Sequence, residues 1–340
     1  MTRKPAYTVH EADAERDREL ILALWRGNLG DEARMAAKYD WFYLQCPDGK
    51  PLTFLLRHEE SGEWVGVASA GARRMLCGGQ PMLAGLLVDL TVLPAHRSLW
   101  PALSLQMALL EAGLRRFTLL YGFPNPKAAA IFKRVGYMPL CRLVRHARVL
   151  RHGEYARRRM PALFAAPAGW LLDAADRLRL RAWAAGLSGR WQDRADEALG
   201  ALWSTASAGG GPVAIRDLAF LQWRFDQSPL AEVRYLVVED AGGVPQAWFA
   251  CESRAGVLRV HDFWSRHAGG AGPSRAELAI LLRTARATGH GSVSVELGAG
   301  AVDGAWLEAG FSARESRPVF WHPSTAATAP RWLTAADEDE

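Results

Sequence analysis

The chain has 340 residues, of which 49% are hydrophobic and 23% charged, and 14 are tryptophan. That much apolar surface repays the entropy of ordering a chain, so general disorder is excluded, and the length suits two domains of about 100–200 residues better than one core. The net charge of +5 is uneven: residues 1–150 carry 20 basic and 14 acidic side chains, residues 151–190 carry 8 and 3, and residues 191–340 carry 13 and 19.

The N-terminal stretch MTRKPAYTVHEADAERD turns charged where a signal peptide would place its apolar region, so no export is expected. No uncharged apolar run approaches the roughly 20 residues of a bilayer span. Cys46, Cys77, Cys141 and Cys251 are scattered without a CxxC, which suits a reducing cytoplasm and gives no zinc site. From there the chain reads as one pattern written twice. DWFYLQCPDGKPLTFLLRHEESGEWVGVAS, beginning at Asp40, returns as QWRFDQSPLAEVRYLVVEDAGGVPQAWFA, beginning at Gln222; Trp41 matches Trp223 and Pro47 matches Pro229 at one offset of 182. In each, two apolar strands flank an acidic turn with glycine, Glu59–Gly62 and Glu239–Gly243. Upstream, LALW ending at Trp25 matches GALW ending at Trp203.

Next come strands opened by Asp89 and Asp262, then helices. The first helix is expected to start at Pro101 and stop at Gly113; the second has Ser274 and Glu277 as a capping box and Gly289 as its stop. Short strands follow near Tyr121 and Val295, then helices ending in Gly136-Tyr137 and Gly310-Phe311. This pattern predicts a tandem α/β unit of about 140 residues. The expected organisation is an N-terminal domain over residues 1–150, a basic helical linker over 151–190, a C-terminal domain over 191–322 and a flexible tail over 323–340. Between Gly113 and Leu172, twelve basic residues, from Arg115 to Arg159, face one acid, Glu154. An anionic partner, membrane surface or tRNA, is expected for residues 112–172. The linker itself reads either as an amphipathic helix on an anionic membrane or as a helix packed between the domains, the second favoured by Pro161 and Pro167.

The stretch LLVDLTVLPAHRSLWPALSLQMALLEAG, residues 86–113, takes a buried strand through a tight turn to a helix N-terminus. Backbone N–H groups and the helix dipole make such a turn a site for phosphate. Val92, Pro94, Arg97 and Ala102 resemble motif A of the GNAT acyltransferase superfamily, V-x-P-x-x-R-x-x-G-x-[GA]. Asn125, Ala128, Ile131, Phe132, Gly136 and Tyr137 resemble a second signature of that superfamily, N-x-x-A-x-x-[LI]-[YF]-x-x-x-G-[FY], in the correct order and about 30 residues on. The resemblance covers residues 1–150 and, in outline, 190–322. It implies an α/β (α+β) chain of two tandem GNAT-like acyl-CoA N-acyltransferase units, each a mixed, splayed central sheet flanked by helices. Similar tandem proteins occur among bacterial proteins linked to cell-surface polysaccharides.

What the resemblance implies for the N-terminal unit is acetyl-CoA or a longer acyl-CoA held between splayed strands as cosubstrate, with no metal. The backbone around Leu90 to Val92 would bond the pantetheine arm. Arg97, Ser98, Leu99, Trp100 and Ala102 would form the pyrophosphate turn, and Asn125 and Phe132 would line the far wall. An acyl group would pass to the amine of a small-molecule or sugar-linked acceptor, with Asp89 as base; its structural alternative is an anchor for the neighbouring backbone. Tyr43 and Tyr121 are candidate donors to the carbonyl or thiolate, or else core residues. The sequence departs from the pattern at Trp100, where the family has a glycine, and at Phe132, a position often held by tyrosine. In the second half, Arg266, Gly269 and Ala271 spell R-x-x-G-x-A without the V-x-P element, so that unit is expected to be degenerate and to build part of the acceptor pocket. The rival readings are a non-catalytic binding or scaffold protein, and a Fem-like transferase that takes its acyl group from aminoacyl-tRNA.

Overall fold

The computed structural model describes residues 6–152, 162–184, 186–204, 211–266, 272–298, 303–323, 328–330 and 333–339; for 162–169, 204 and 303 it describes the backbone alone. The N-terminal half runs β1 (Tyr7–Ala12), α1 (Arg18–Trp25), α2 (Glu32–Tyr39), a π-helical turn (Asp40–Leu44), β2 (Leu52–His58), β3 (Trp64–Cys77), β4 (Gln80–Val92), α3 (Leu99–Arg116), β5 (Leu119–Gly122), α4 (Pro126–Val135) and β6 (Met138–Val149). Helix α5 (Ala162–Trp183) follows. The C-terminal half repeats the order: β7 (Leu187–Gln192), α6 (Glu197–Ser204), β8 (Val213–Ala214), α7 (Leu218–Leu221), a second π-helical turn (Gln222–Asp226), β9 (Val233–Asp240), β10 (Pro245–Arg254), β11 (Val257–Ser265), α8 (Arg275–Ala287), β12 (Ser292–Gly298), α9 (Asp303–Glu308) and β13 (Ser312–Pro323), closed by β14 (Leu333–Thr334).

Local chemistry sets these bounds. Asp31 accepts from the Ala33 N–H to cap α2, and Ser274 and Glu277 form the expected reciprocal box at α8. Gly136, at φ 108°, ends α4 in the left-handed conformation that a side chain resists. Helix α3 corrects two expectations, since it begins at Leu99 and runs on to Arg116. Pro101 is tolerated because the first-turn N–H groups have no intrahelical acceptor in any case. Gly113 lies inside the helix, where a Cβ would come within 2.9 Å of Leu120, so it serves close packing on β5 instead of a stop.

Among the described residues the strands form one 14-stranded sheet with the order β1-β2-β3-β4-β5-β13-β6-β12-β11-β10-β9-β7, β14 lying beside β12 and β8 beside β3. Only β4·β5 and β11·β12 are parallel; every other pair is antiparallel. The last strand of each half crosses to the other: β13 pairs with β5, and β6 pairs with β12. The repeats also meet at their π-helical turns. The indoles of Trp41 and Trp223 stack with centroids 4.9 Å apart, and each Nε1–H donates to the other's carbonyl oxygen, at 2.7 and 2.9 Å. The α1/α2 side of the sheet shares one apolar core with the C-terminal half, and α3 and α4 cover a second core on the opposite side.

The expected flexible tail is overturned for residues 333–339. Leu333, Thr334, Ala336 and Asp337 are buried, with β14 paired to Leu297 and Gly298 and a 3₁₀ turn at Ala335–Asp337. Composition pointed to fraying because it weighed the acids as solvated, whereas here they meet buried arginines.

Candidate functional site

Strands β4 and β5 run side by side from Ala84·Leu119 to Leu87·Gly122, and among the described residues no strand pairs with that edge of β4 beyond Leu87. The cause lies on β4 itself. Val88 opposes Ser69 and Thr91 opposes Val67, so β4 carries one residue more than β3 across this interval, and Asp89 takes φ 55°. Such a bulge bends and twists the strand, and Asp is one of the few side chains that enters the left-handed region readily. Gly122 suits the narrow end of the wedge, since a Cβ there would lie 3.0 Å from Leu87 and 3.2 Å from Phe132.

The Asp89 side chain is 5% exposed. Its Oδ2 accepts from the Tyr43 hydroxyl at 2.8 Å, and its Oδ1 accepts from Lys38 Nζ at 3.3 Å. Tyr43 lies in turn 2.8 Å from Ser69 Oγ, which is 3.0 Å from Thr53 Oγ1. Burial pushes the Asp89 carboxyl above the usual carboxylate range against the pull of Lys38, and the nearby Asp339 adds to the upward push. Burial likewise holds the phenols of Tyr43 and Tyr121 protonated, so both are donors. Tyr121 donates to the Asp337 carbonyl oxygen at 3.1 Å, which ties β5 to the C-terminal segment.

Beyond Val92 a 3₁₀ turn at Pro94–His96 leads to Ser98, which precedes α3 without a side-chain cap. The N–H groups of Leu99 and Trp100 meet no acceptor among the described residues, leaving the positive end of an 18-residue helix open. Arg97 folds back: its Nε donates to the Val92 carbonyl at 3.0 Å and its NH2 to Asn28 Oδ1 at 2.6 Å. His96 is 3.1 Å from the Tyr7 hydroxyl. Trp100 is 59% exposed, so most of its surface meets solvent. Ala102 and Val92 are buried and Leu90 half-buried. The side-chain oxygen of Asn125 accepts from Lys127 and Ala128, both at 3.0 Å, which makes it the cap of α4. Phe132 is buried against Tyr137 and Phe320 of β13.

Sequence reasoning missed the buried polar seam between the halves. Asp337 accepts from Arg216 at 3.0 Å and from Arg73 at 3.4 Å. Arg216 also binds Asp262 at 2.8 Å, and Thr334 donates to Asp262 at 2.9 Å. Arg224 donates to the carbonyls of Ala336 and Glu338, and Lys38 joins Asp89 to Asp339, the latter at 2.8 Å. Despite the cost of burial, Arg216 and Arg73 hold the Asp337 carboxyl below the usual range. Asp262 is the counterpart of Asp89, likewise beside a bulge, between Ala250 and Cys251 opposite β11. Here the space next to β12 is taken by β14, and the 3₁₀ turn packs on β11 and β12. The second-half turn containing Gly269 and Ala271 lies outside the described residues, as does the basic run Arg157–Arg159. Two open clefts of about 900 and 630 Å³ are lined mainly by the C-terminal half, with Arg34 at the first and Arg145 at the second, and they share Leu230, Ala231, Glu252 and Arg254; neither is lined by Asp89 or the α3 turn.

No protein family and no curated protein matches the sequence. Solved structures do match the fold. A conserved protein of unknown function from Enterococcus faecalis superposes with a TM-score of 0.65 at 10% identity, over 94% of this chain and 73% of that one. A GCN5-related N-acetyltransferase from Anabaena variabilis gives 0.63 at 12% identity, over 93% and 72%. Saccharomyces cerevisiae N-myristoyltransferase with bound myristoyl-CoA gives 0.55 at 11% identity, over 96% and 85%. The chain therefore has the GNAT fold, in an arrangement of two units. No described helix is long and apolar enough to cross a membrane.

Proposed function

We propose that the protein moves an acyl group from acyl-CoA to an amine at the wedge between β4 and β5. The observation that carries this reading is the end of pairing between those parallel strands at Leu87 and Gly122, at the bulge holding Asp89 and directly ahead of the α3 turn. The likeness to an N-acetyltransferase and to an N-myristoyltransferase with myristoyl-CoA bound supports it. Leu90 and Val92 would offer main-chain groups to the pantetheine arm. Leu99 and Trp100 would receive the pyrophosphate with open N–H groups in the turn that Ser98 and Ala102 complete, and Arg97 would hold that turn in shape. Phe132 would form the wall at the narrow end, with Asn125 ordering the helix that carries it.

The chemistry asks for little more than positioning and one proton acceptor. The amine nitrogen bonds the acyl carbon, the carbon–sulfur bond breaks, CoA departs with the electron pair as thiolate, and the surplus proton on nitrogen passes to Asp89. Phe132 carries no proton for the thiolate, so solvent supplies it. Two carboxylates, Asp89 and Asp339, beside Lys38 favour an acceptor that arrives as an ammonium ion, small or sugar-linked, which gives one proton to solvent before its nitrogen attacks. Release of free thiol from acetyl-CoA in the presence of a panel of amines tests the reading. Amine-dependent release that Asp89→Asn abolishes supports it; saturable acetyl-CoA binding with no release for any amine would leave a binding protein instead.

A further inference from the structure

Helix α5 is turned inside out relative to an ordinary surface helix. Its two acids point into the protein. Asp173 pairs with Arg286 at 2.8 Å and with His152 at 2.8 Å, and Asp176 pairs with Arg148 and Arg179. Leu180 and Ala184 are buried on the same line, and the spacing 173, 176, 180, 184 defines the face that packs on α8. On the far side stand Leu171 and Leu178, two turns apart and 61% and 67% exposed, flanked by Trp170 at 64% and Leu172 at 54%. Arg177 and Arg181 are exposed on the same helix and Arg283 on α8, and none of the three has a carboxylate within 4.0 Å among the described residues.

Water gives no reason to expose four large apolar side chains in nine residues while every acid of the described helix faces inward. We propose that this face of α5 lies on an anionic lipid surface, with Leu171 and Leu178 in the acyl boundary and the arginines at the headgroups. The charge pattern selects that occupant. A second copy of the chain would set Arg177 and Arg181 against the same arginines, with no outward acid on α5 to meet them, whereas anionic headgroups neutralise both. The proposal is independent of acyl transfer.

Flotation of the full chain with vesicles of phosphatidylcholine containing about one-third phosphatidylglycerol tests it. The wild type should float with these vesicles, fail to float with pure phosphatidylcholine, and detach as salt rises. Leu171→Glu with Leu178→Glu should lower the bound fraction by about tenfold or more, and Arg177→Glu with Arg181→Glu should do likewise. All four positions are exposed, so melting temperatures should not change; Leu171→Gln with Leu178→Gln is a milder pair if they do. A wild type that never floats, variants that float equally, or light scattering that shows a dimer split into monomers by the leucine substitutions would overturn the proposal.

Discussion

In the proposed reaction Asp89 would combine a backbone role with a chemical one, and the two can be separated. Its φ of 55° shapes the bulge, a conformation that asparagine also adopts readily. Asp89→Asn should therefore keep the wedge and the acetyl-CoA affinity while lowering turnover by about 100-fold or more, the range expected for a lost general base. Steady-state kinetics beside equilibrium binding reads both, and a variant that loses affinity and turnover together would make Asp89 an anchor only. Burial and Asp339 raise the Asp89 carboxyl, so the acid limb of kcat/KM should fall above pH 3.8, the ordinary value of the group. Replacing Asp339 by Asn removes one upward push and should move that limb to lower pH. The stability sign is opposite. With the folded value above the unfolded one, the unfolded chain releases its proton first, so stability falls as pH rises through that window. Asp89→Asn should flatten this slope in denaturation measured at several pH values.

At the scale of elements, the C-terminal segment is a latch held by buried charge. Asp337 faces Arg216 and Arg73 at 0% exposure, and removing one partner of such a set strands the others. Asp337→Ala should cost about 3–5 kcal/mol in urea unfolding, and Asp337→Asn less, because the amide oxygen still accepts. Its carboxyl lies below 3.8 in the fold; its stabilisation is thus present above that value and lost as pH falls through the folded one. Nothing in the tail's composition announced this. Arg73, Arg216 and Asp337 come together from positions up to 264 residues apart, and an acid run looks the same in sequence whether water or arginine receives it. Other elements were legible because their signals are local. The Ser274–Glu277 box, the left-handed Gly136 and the β4-to-α3 turn each appeared where residue type demanded them. Pro101 and Gly113 misled for the same local reason: both have a second use within a helix, one in the unbonded first turn and one at a close contact.

Across the whole molecule, the two halves are legible as a repeat through Trp41 and Trp223, which stack on one another in the fold. The exchange of β6 and β13 is not legible. Both are amphipathic strands at the end of equivalent units, and strand alternation specifies which face is buried without naming the neighbour. The exchange leaves β5 with an open edge in any isolated N-terminal half. Residues 1–150 expressed alone should then aggregate or associate, with gel filtration showing no monodisperse monomer; a stable monomer would show that β6 can pair with β5 in its own half. Among the described residues, the filled space beside β12 also leaves one wedge instead of two. Isothermal titration with acetyl-CoA tests that account most directly. It predicts one saturable site per chain, with Trp100→Gly changing the affinity by less than about threefold because most of the Trp100 surface already meets solvent. No heat of binding at millimolar ligand, for the wild type and for Trp100→Gly alike, would contradict it.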